Sequence, residues 1–214
     1  MELNSSQQRA VFKMEGPCLV LAGPGSGKTA VLTRRIIELI KSGIPSKEIL
    51  VITFTKAAAI EMKERFDRLS DDASPVTFGT FHSLFWGILQ KECGYKSTDI
   101  IMGHDRNKIL KEAMEKAKLN SDDTLLLNSY ATELSTFNCS INNFEKYEPK
   151  FVEKKDLICF AKAYEELKNK YKVIDFDDML LITVKLLEQN AEIREKYYKK
   201  FQHILVDEYQ DTNQ

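Results

Sequence analysis

Pro17-Cys18-Leu19-Val20-Leu21-Ala22 runs straight into Gly23-Pro24-Gly25-Ser26-Gly27-Lys28-Thr29, and the reading of this junction decides the fold. The first run is short and apolar, as a buried strand is. Residues 29–42 then carry Leu32, Ile36, Leu39 and Ile40 at helical spacing. The order is strand, glycine-rich turn, helix. Ala22 to Thr29 fits the phosphate-loop pattern G-x-x-x-x-G-K-[ST], with Ala in the first place. Glycines at that spacing let backbone N–H groups converge on phosphates, and the following helix offers its positive end. The expected triphosphate set is Ala22, Gly23, Pro24, Gly25, Ser26, Gly27, Lys28, Thr29 and Ala30, with Lys28 on the β and γ oxygens and Thr29 a ligand of Mg²⁺.

Working outward, Gly43 and Pro45 stop the helix, and Ile49-Leu50-Val51-Ile52-Thr53-Phe54 reads as a buried strand. Residues 56–69 are helical, Val76-Thr77-Phe78 is a third strand, and an aromatic helix follows from about Ser83. Alternation of this kind argues for an α/β fold with a parallel sheet flanked by helices. From 91 to 172 the alternation stops. That stretch is charged and helical, with Asp105 expected to cap a helix over 108–118, a loop at Asn120-Ser121-Asp122-Asp123, and a long amphipathic helix over 151–171. Two further helices are expected over 175–189 and 191–202, before a last strand at His203-Ile204-Leu205-Val206-Asp207. The expected organisation is an α/β domain over 1–90 and 173–214 with an all-helical insertion over 91–172.

Composition bounds the rest. With 43% hydrophobic and 29% charged residues the chain is an ordinary globular one. Its net charge of -1 means that any nucleic acid must be held by local geometry rather than by a general positive field. Cys18, Cys93, Cys139 and Cys159 are scattered, without a C-x-x-C pair, and read as reduced and structural. No apolar run reaches the length of a membrane span and no leader opens the chain, so no membrane partner and a cytoplasmic location are expected.

The last strand ends in Asp207-Glu208, the acidic partner a phosphate loop requires: an Asp that holds the metal, and a Glu that orients and deprotonates the attacking water. Asp207-Glu208-Tyr209-Gln210-Asp211-Thr212 is narrower than that pair. It resembles the D-E-[FY]-Q-D signature of the UvrD/Rep/PcrA branch of superfamily 1 DNA helicases, and Gln210 joins Lys28, Asp207 and Glu208 as a catalytic candidate. Other segments agree with the family in order. Leu3-Asn4-Ser5-Ser6-Gln7, followed by Ala10-Val11, resembles its Q motif, which implies that the Gln7 amide reads adenine. Ile52 to Met62 resembles motif Ia, and Phe78-Gly79-Thr80-Phe81-His82-Ser83 its GTFH segment. Both line the track of single-stranded DNA in the family. The resemblance implies that Phe54 stacks on a base while Thr55, Lys56, Thr80 and His82 take the backbone; on burial alone Phe54 and Phe81 would read as core aromatics. Lys56-Ala57 stands where many relatives have Asn-Lys, a departure that resembles the RecB/AddA side of the superfamily. Asp175-Phe176-Asp177-Asp178 resembles the family's D-F-D-D segment and reads as helix capping and dipole compensation rather than chemistry.

The resemblance implies the ATP-binding domain called 1A with the helical domain 1B, cut from a longer ATP-dependent helicase of repair or recombination. ATP, Mg²⁺, single-stranded DNA and duplex junctions are the implied ligands. Nuclease or repair-complex subunits would join through further domains, and slow hydrolysis is expected of this part alone. Two other readings stay open on the residues: a P-loop ATPase acting on a protein partner, and a short binding module without turnover.

Overall fold

The computed structural model describes residues 3–13, 15–70, 75–140 and 146–212. They divide into two compact units, one within residues 3–84 and 190–212 and one within residues 85–189. The first is built on a parallel sheet of β1 (Ile49–Thr53), β2 (Thr77–Thr80) and β3 (His203–Val206), in the order β2-β1-β3. All five residues of β1 are buried, as a central parallel strand requires. Alternate side chains of β1 point to opposite faces. Ile49 and Val51 pack with Ile36 and Leu39 of α2 (Lys28–Lys41), Met62 and Phe66 of α3 (Lys56–Leu69), and Leu205. Leu50 and Ile52 pack with Phe201 at the end of α9 (Ala191–Lys200) and with Phe81 and Leu84. Each such aliphatic side chain contributes roughly 1.5–3 kcal/mol, so β1 ties both layers to the sheet. A further helix, α1 (Ser5–Phe12), lies on α2, where the Arg35 guanidinium donates to the Ala10 and Val11 carbonyls at 2.9 and 3.3 Å.

One expected strand does not form. Residues 17–22 are in no ladder among the described residues, and Leu19 and Leu21 are 68% and 87% exposed. A strand needs a partner for its backbone groups as well as an apolar composition, and β3, at the sheet edge, pairs with β1.

The second unit is helical: α4 (Phe81–Cys93) from Phe85 onward, α5 (Gly103–Lys116), α6 (Thr124–Ser140), α7 (Lys154–Tyr171) and α8 (Phe176–Gln189). It is wider than the 91–172 span marked from composition. Leu89 of α4 shares a buried cluster with Ile174 and Met179, which draws both flanks in. The main core joins Leu110 and Met114, Tyr130 and Phe137, and Leu157, Phe160 and Tyr164 from α5, α6 and α7. Asp105 lies in the first turn of α5 rather than capping it, since the helix starts at Gly103, and α7 starts at Lys154 rather than 151.

Asp175 does cap α8. Its carboxylate accepts from the Asp178 N–H at 3.0 Å while Asp178 accepts from the Asp175 N–H at 2.9 Å. The carboxylates also meet a cation that the pattern did not indicate: Lys168 Nζ lies 2.6 Å from Asp178 and 3.8 Å from Asp175, with its side chain 4% exposed. Tyr164 donates to Asp175 at 3.0 Å, and Ser135 to Asp177 at 3.1 Å.

Candidate functional site

The glycine-rich loop is shaped by backbone conformations that L side chains rarely adopt. Gly25 and Gly27 stand at φ +71° and +84°, in the left-handed region. Ser26 closes the turn, its hydroxyl donating to the Gly23 carbonyl at 2.7 Å. Helix α2 begins at once. The first intrahelical bond runs from the Val31 N–H to the Gly27 carbonyl at 3.0 Å, which leaves the N–H groups of Lys28, Thr29 and Ala30 without a carbonyl in the preceding turn. These donors, the helix dipole and the Lys28 ammonium concentrate positive potential at one point, which is the chemistry an anion requires.

Opposite the loop, the Asp207 N–H continues the pairing beyond β3 by donating to the Ile52 carbonyl at 2.9 Å. Glu208 is held at φ 49°, a strained position for a non-glycine residue. Its N–H donates to the Asp207 carboxylate at 3.0 Å, and its side-chain carboxylate accepts from the Gln210 amide. Lys28, Glu208 and Gln210 line one cleft of about 460 Å³ with Val20, Leu21, Ala22 and Pro24. The loop and the acidic strand end, far apart in the sequence, thus meet. Burial pushes the Asp207 carboxyl up; the Glu208 N–H lowers it, the Glu208 charge raises it, and Lys28 lowers it again. Among the described residues Lys28 forms no ion pair or hydrogen bond, so its charge stays available to a ligand.

Gln7 sits against this loop, with one N–H of its amide engaged by it. Asn4 caps α1 and exchanges bonds of 2.9 Å with Gln7 through both backbone N–H groups, and the Gln7 amide nitrogen donates to the Ser26 carbonyl at 2.9 Å.

The remaining expected residues gather where the parallel strands end. Thr53 pairs with Thr80, so the chain after β1 and the chain after β2 leave the sheet side by side. Phe54 is 63% exposed there, outside both clusters, whereas Phe81 packs against Leu50 and Ile52. Thr55 caps α3 by accepting from the Ala58 N–H at 3.1 Å, and Lys56 is exposed in the helix's first turn. The Thr80 hydroxyl accepts from the Ser83 N–H at 3.2 Å, while the Ser83 hydroxyl accepts from the Thr80 N–H at 2.8 Å; His82 is exposed between them. Both threonine hydroxyls thus shape the turns. Sequence reasoning missed Val20 and Leu21 as cleft lining, since they read as strand core, and Arg35, whose role is a contact rather than a motif letter; Asn4 and Ser83 stand inside the motif segments, but their capping bonds were not read from them.

The chain over residues 3–214 matches the family model described as UvrD/REP helicase N-terminal domain. It is 37% identical to the ATP-dependent DNA helicase Rep of Escherichia coli K12, over 100% of this chain and 33% of that protein. It is 34% identical to the ATP-dependent DNA helicase PcrA of Staphylococcus aureus Mu50, over 99% of this chain and 30% of that protein. The chain therefore spans about a third of the length of the curated relatives it matches. No described helix is long and apolar enough to cross a membrane. With its glycine-rich loop, its three parallel strands and the carboxylates that follow the last of them, the chain belongs to the UvrD/Rep helicase family, whose N-terminal domain it matches.

Proposed function

We propose that the chain is the ATP- and single-stranded-DNA-binding front part of an ATP-dependent DNA helicase or translocase, its first unit a RecA-like domain and its second the family's helical insertion. The observation that carries this reading is the shared edge of the sheet. Lys28, Glu208 and Gln210 face one cleft, and the exposed Phe54 leaves the same edge at the end of β1. ATP would place its triphosphate on the loop N–H groups, with Lys28 neutralising the outer oxygens. The Thr29 hydroxyl and Asp207 carboxylate are hard oxygen donors of the kind Mg²⁺ prefers, and a carboxyl whose proton affinity is raised by burial and a neighbouring Glu gains from a cation beside it. Mg²⁺ held there would offset charge on the transferring phosphoryl group. Glu208 would take the proton of the attacking water, and Gln210 holds that carboxylate in place.

Among the described residues that line the cleft, Lys28 is the one cation. An arginine at the γ-phosphate is worth roughly 10³–10⁵ in rate, so slow turnover is the proposed behaviour of this chain by itself. Phe54 offers a ring that any base can stack on, with Lys56 and His82 beside it for phosphates. Action in repair or recombination is the role proposed for the whole protein.

Titration of the chain with a fluorescent ATP analogue and Mg²⁺, and separately with labelled oligo-dT, tests the reading. Saturable binding of both is expected, with the first lost in Lys28→Ala. A chain that binds nucleotide but no single strand would overturn the DNA assignment and favour a protein partner.

A further inference from the structure

Gln7 makes three hydrogen bonds and one close approach. Its backbone N–H and amide oxygen complete the capping box with Asn4, its amide nitrogen reaches across to the Ser26 carbonyl, and a Cβ at Gly27 would stand 3.3 Å from that nitrogen. Gly27 is therefore small enough for the amide to lie against the loop. The far end of α1 is held as well, by Arg35 of α2, the helix that begins with the loop's own lysine. Helix α1 is thus a strut fixed at both ends to the element that presents Lys28 and Thr29.

A trans peptide places its C=O and the next N–H on opposite sides, and among the described residues no peptide is cis. Drawing the Ser26 carbonyl toward Gln7 therefore turns the Gly27 N–H away from α1, where among the described residues it has no protein acceptor. A loop whose N–H groups are aimed before the anion arrives loses less freedom on binding it.

We infer that Gln7 is a positioning residue for the triphosphate: its amide nitrogen orients the Ser26–Gly27 peptide so that the loop is set for phosphates whether or not a base is present. An amide has a second N–H and a second lone pair, so this duty leaves room for adenine. The inference rests on reading the loop as a triphosphate site and goes beyond it, since it predicts an effect of Gln7 on a ligand that has no base.

Inorganic tripolyphosphate with Mg²⁺ is the probe, measured by displacement of a fluorescent ATP analogue from the chain. Two variants isolate the amide donor. Gln7→Glu keeps an acceptor for the Asn4 N–H, hence the capping box, but adds a charge; Gln7→Met is uncharged and of similar length but loses the box. The lost donor is what they share. Both are expected to bind tripolyphosphate roughly three- to tenfold more weakly than the parent chain, the worth of one hydrogen bond, with the thermal midpoint of Gln7→Glu unchanged. Weakened ATP binding with tripolyphosphate binding intact in both variants would overturn the proposal and leave Gln7 a reader of the base alone. Weakening confined to Gln7→Met would overturn it in favour of helix capping, and weakening confined to Gln7→Glu in favour of simple charge repulsion. If tripolyphosphate does not displace the analogue from the parent chain, the triphosphate reading itself falls, and this inference with it.

Discussion

Two lysines in this chain stand near clustered carboxylates, and they are built for opposite ends. Lys168 is buried to 4% side-chain exposure and saturated: Asp178, Asp175 and Glu165 lie within ion-pair distance and the Tyr164 ring lies beneath it at 5.0 Å. Desolvation lowers its pKa, but the carboxylates more than reverse this and the ammonium is held above its ordinary range. Lys28 is half-buried, shares an open cleft with Glu208, and is committed to no protein anion among the described residues. A satisfied cation organises its own fold, whereas one left short of partners can take a ligand. The arrangement of neighbours, rather than residue type, separates the two.

The largest expected effect breaks the comparison at its buried side. Lys168→Ala leaves Asp175 and Asp178 buried without their cation, and removing one partner of such a pair costs about 3–5 kcal/mol. Urea unfolding should show that loss. Lys28→Ala should leave stability within about 0.5 kcal/mol, as substitutions outside packed features do, while abolishing nucleotide binding. Equal destabilisation by the two variants would erase the distinction. Next in size is Phe54→Ala. An exposed ring contributes little to the core, so its removal should spare stability yet weaken oligo-dT binding by roughly 1–3 kcal/mol, read by fluorescence anisotropy. Phe81→Ala should do the reverse, because that ring packs on Leu50 and Ile52; a cost of about 3–5 kcal/mol is the upper range for a fully buried Phe, and Phe81 is only partly so.

The same contrast explains what could be read from the letters. The phosphate loop is contiguous, and its glycines, lysine and threonine must occur at fixed spacing because one turn and one helix start supply every donor; a pattern of that kind survives without a structure. Asp207 and Glu208 became legible through their place at the end of an apolar strand. Phe54 could not be told from a core aromatic by composition, and the exposed position after β1 is what separates it from Phe81. The cap made by Asp175 was legible because capping is local, but Lys168 was not, since its link to Asp178 joins two helices whose registers no short pattern specifies. The run at 17–22 failed in the other direction. Its composition is that of a strand, yet pairing depends on a neighbour, and composition says nothing of the neighbour.

The smallest effect expected concerns pH and sharpens the functional side of the comparison. Asp207 is held above the ordinary carboxyl value of 3.8, first by burial and then by the Glu208 charge. The folded chain therefore keeps a proton on this group over a window in which the unfolded chain has lost it. Stability from this source is complete below the ordinary value and is lost as pH rises through the raised one. Binding of Mg²⁺ with nucleotide has the opposite sign, because the metal needs the ionised carboxylate and displaces the proton. Across this acidic window the affinity for the Mg²⁺ complex should climb while the Asp207 contribution to stability falls. Asp207→Asn removes both slopes at once: the difference in unfolding free energy between parent and variant should change with pH over the window and become flat above it. A difference that is flat throughout would mean that Asp207 is as solvated as an ordinary surface carboxylate, and that its readiness for a cation comes from position rather than from burial.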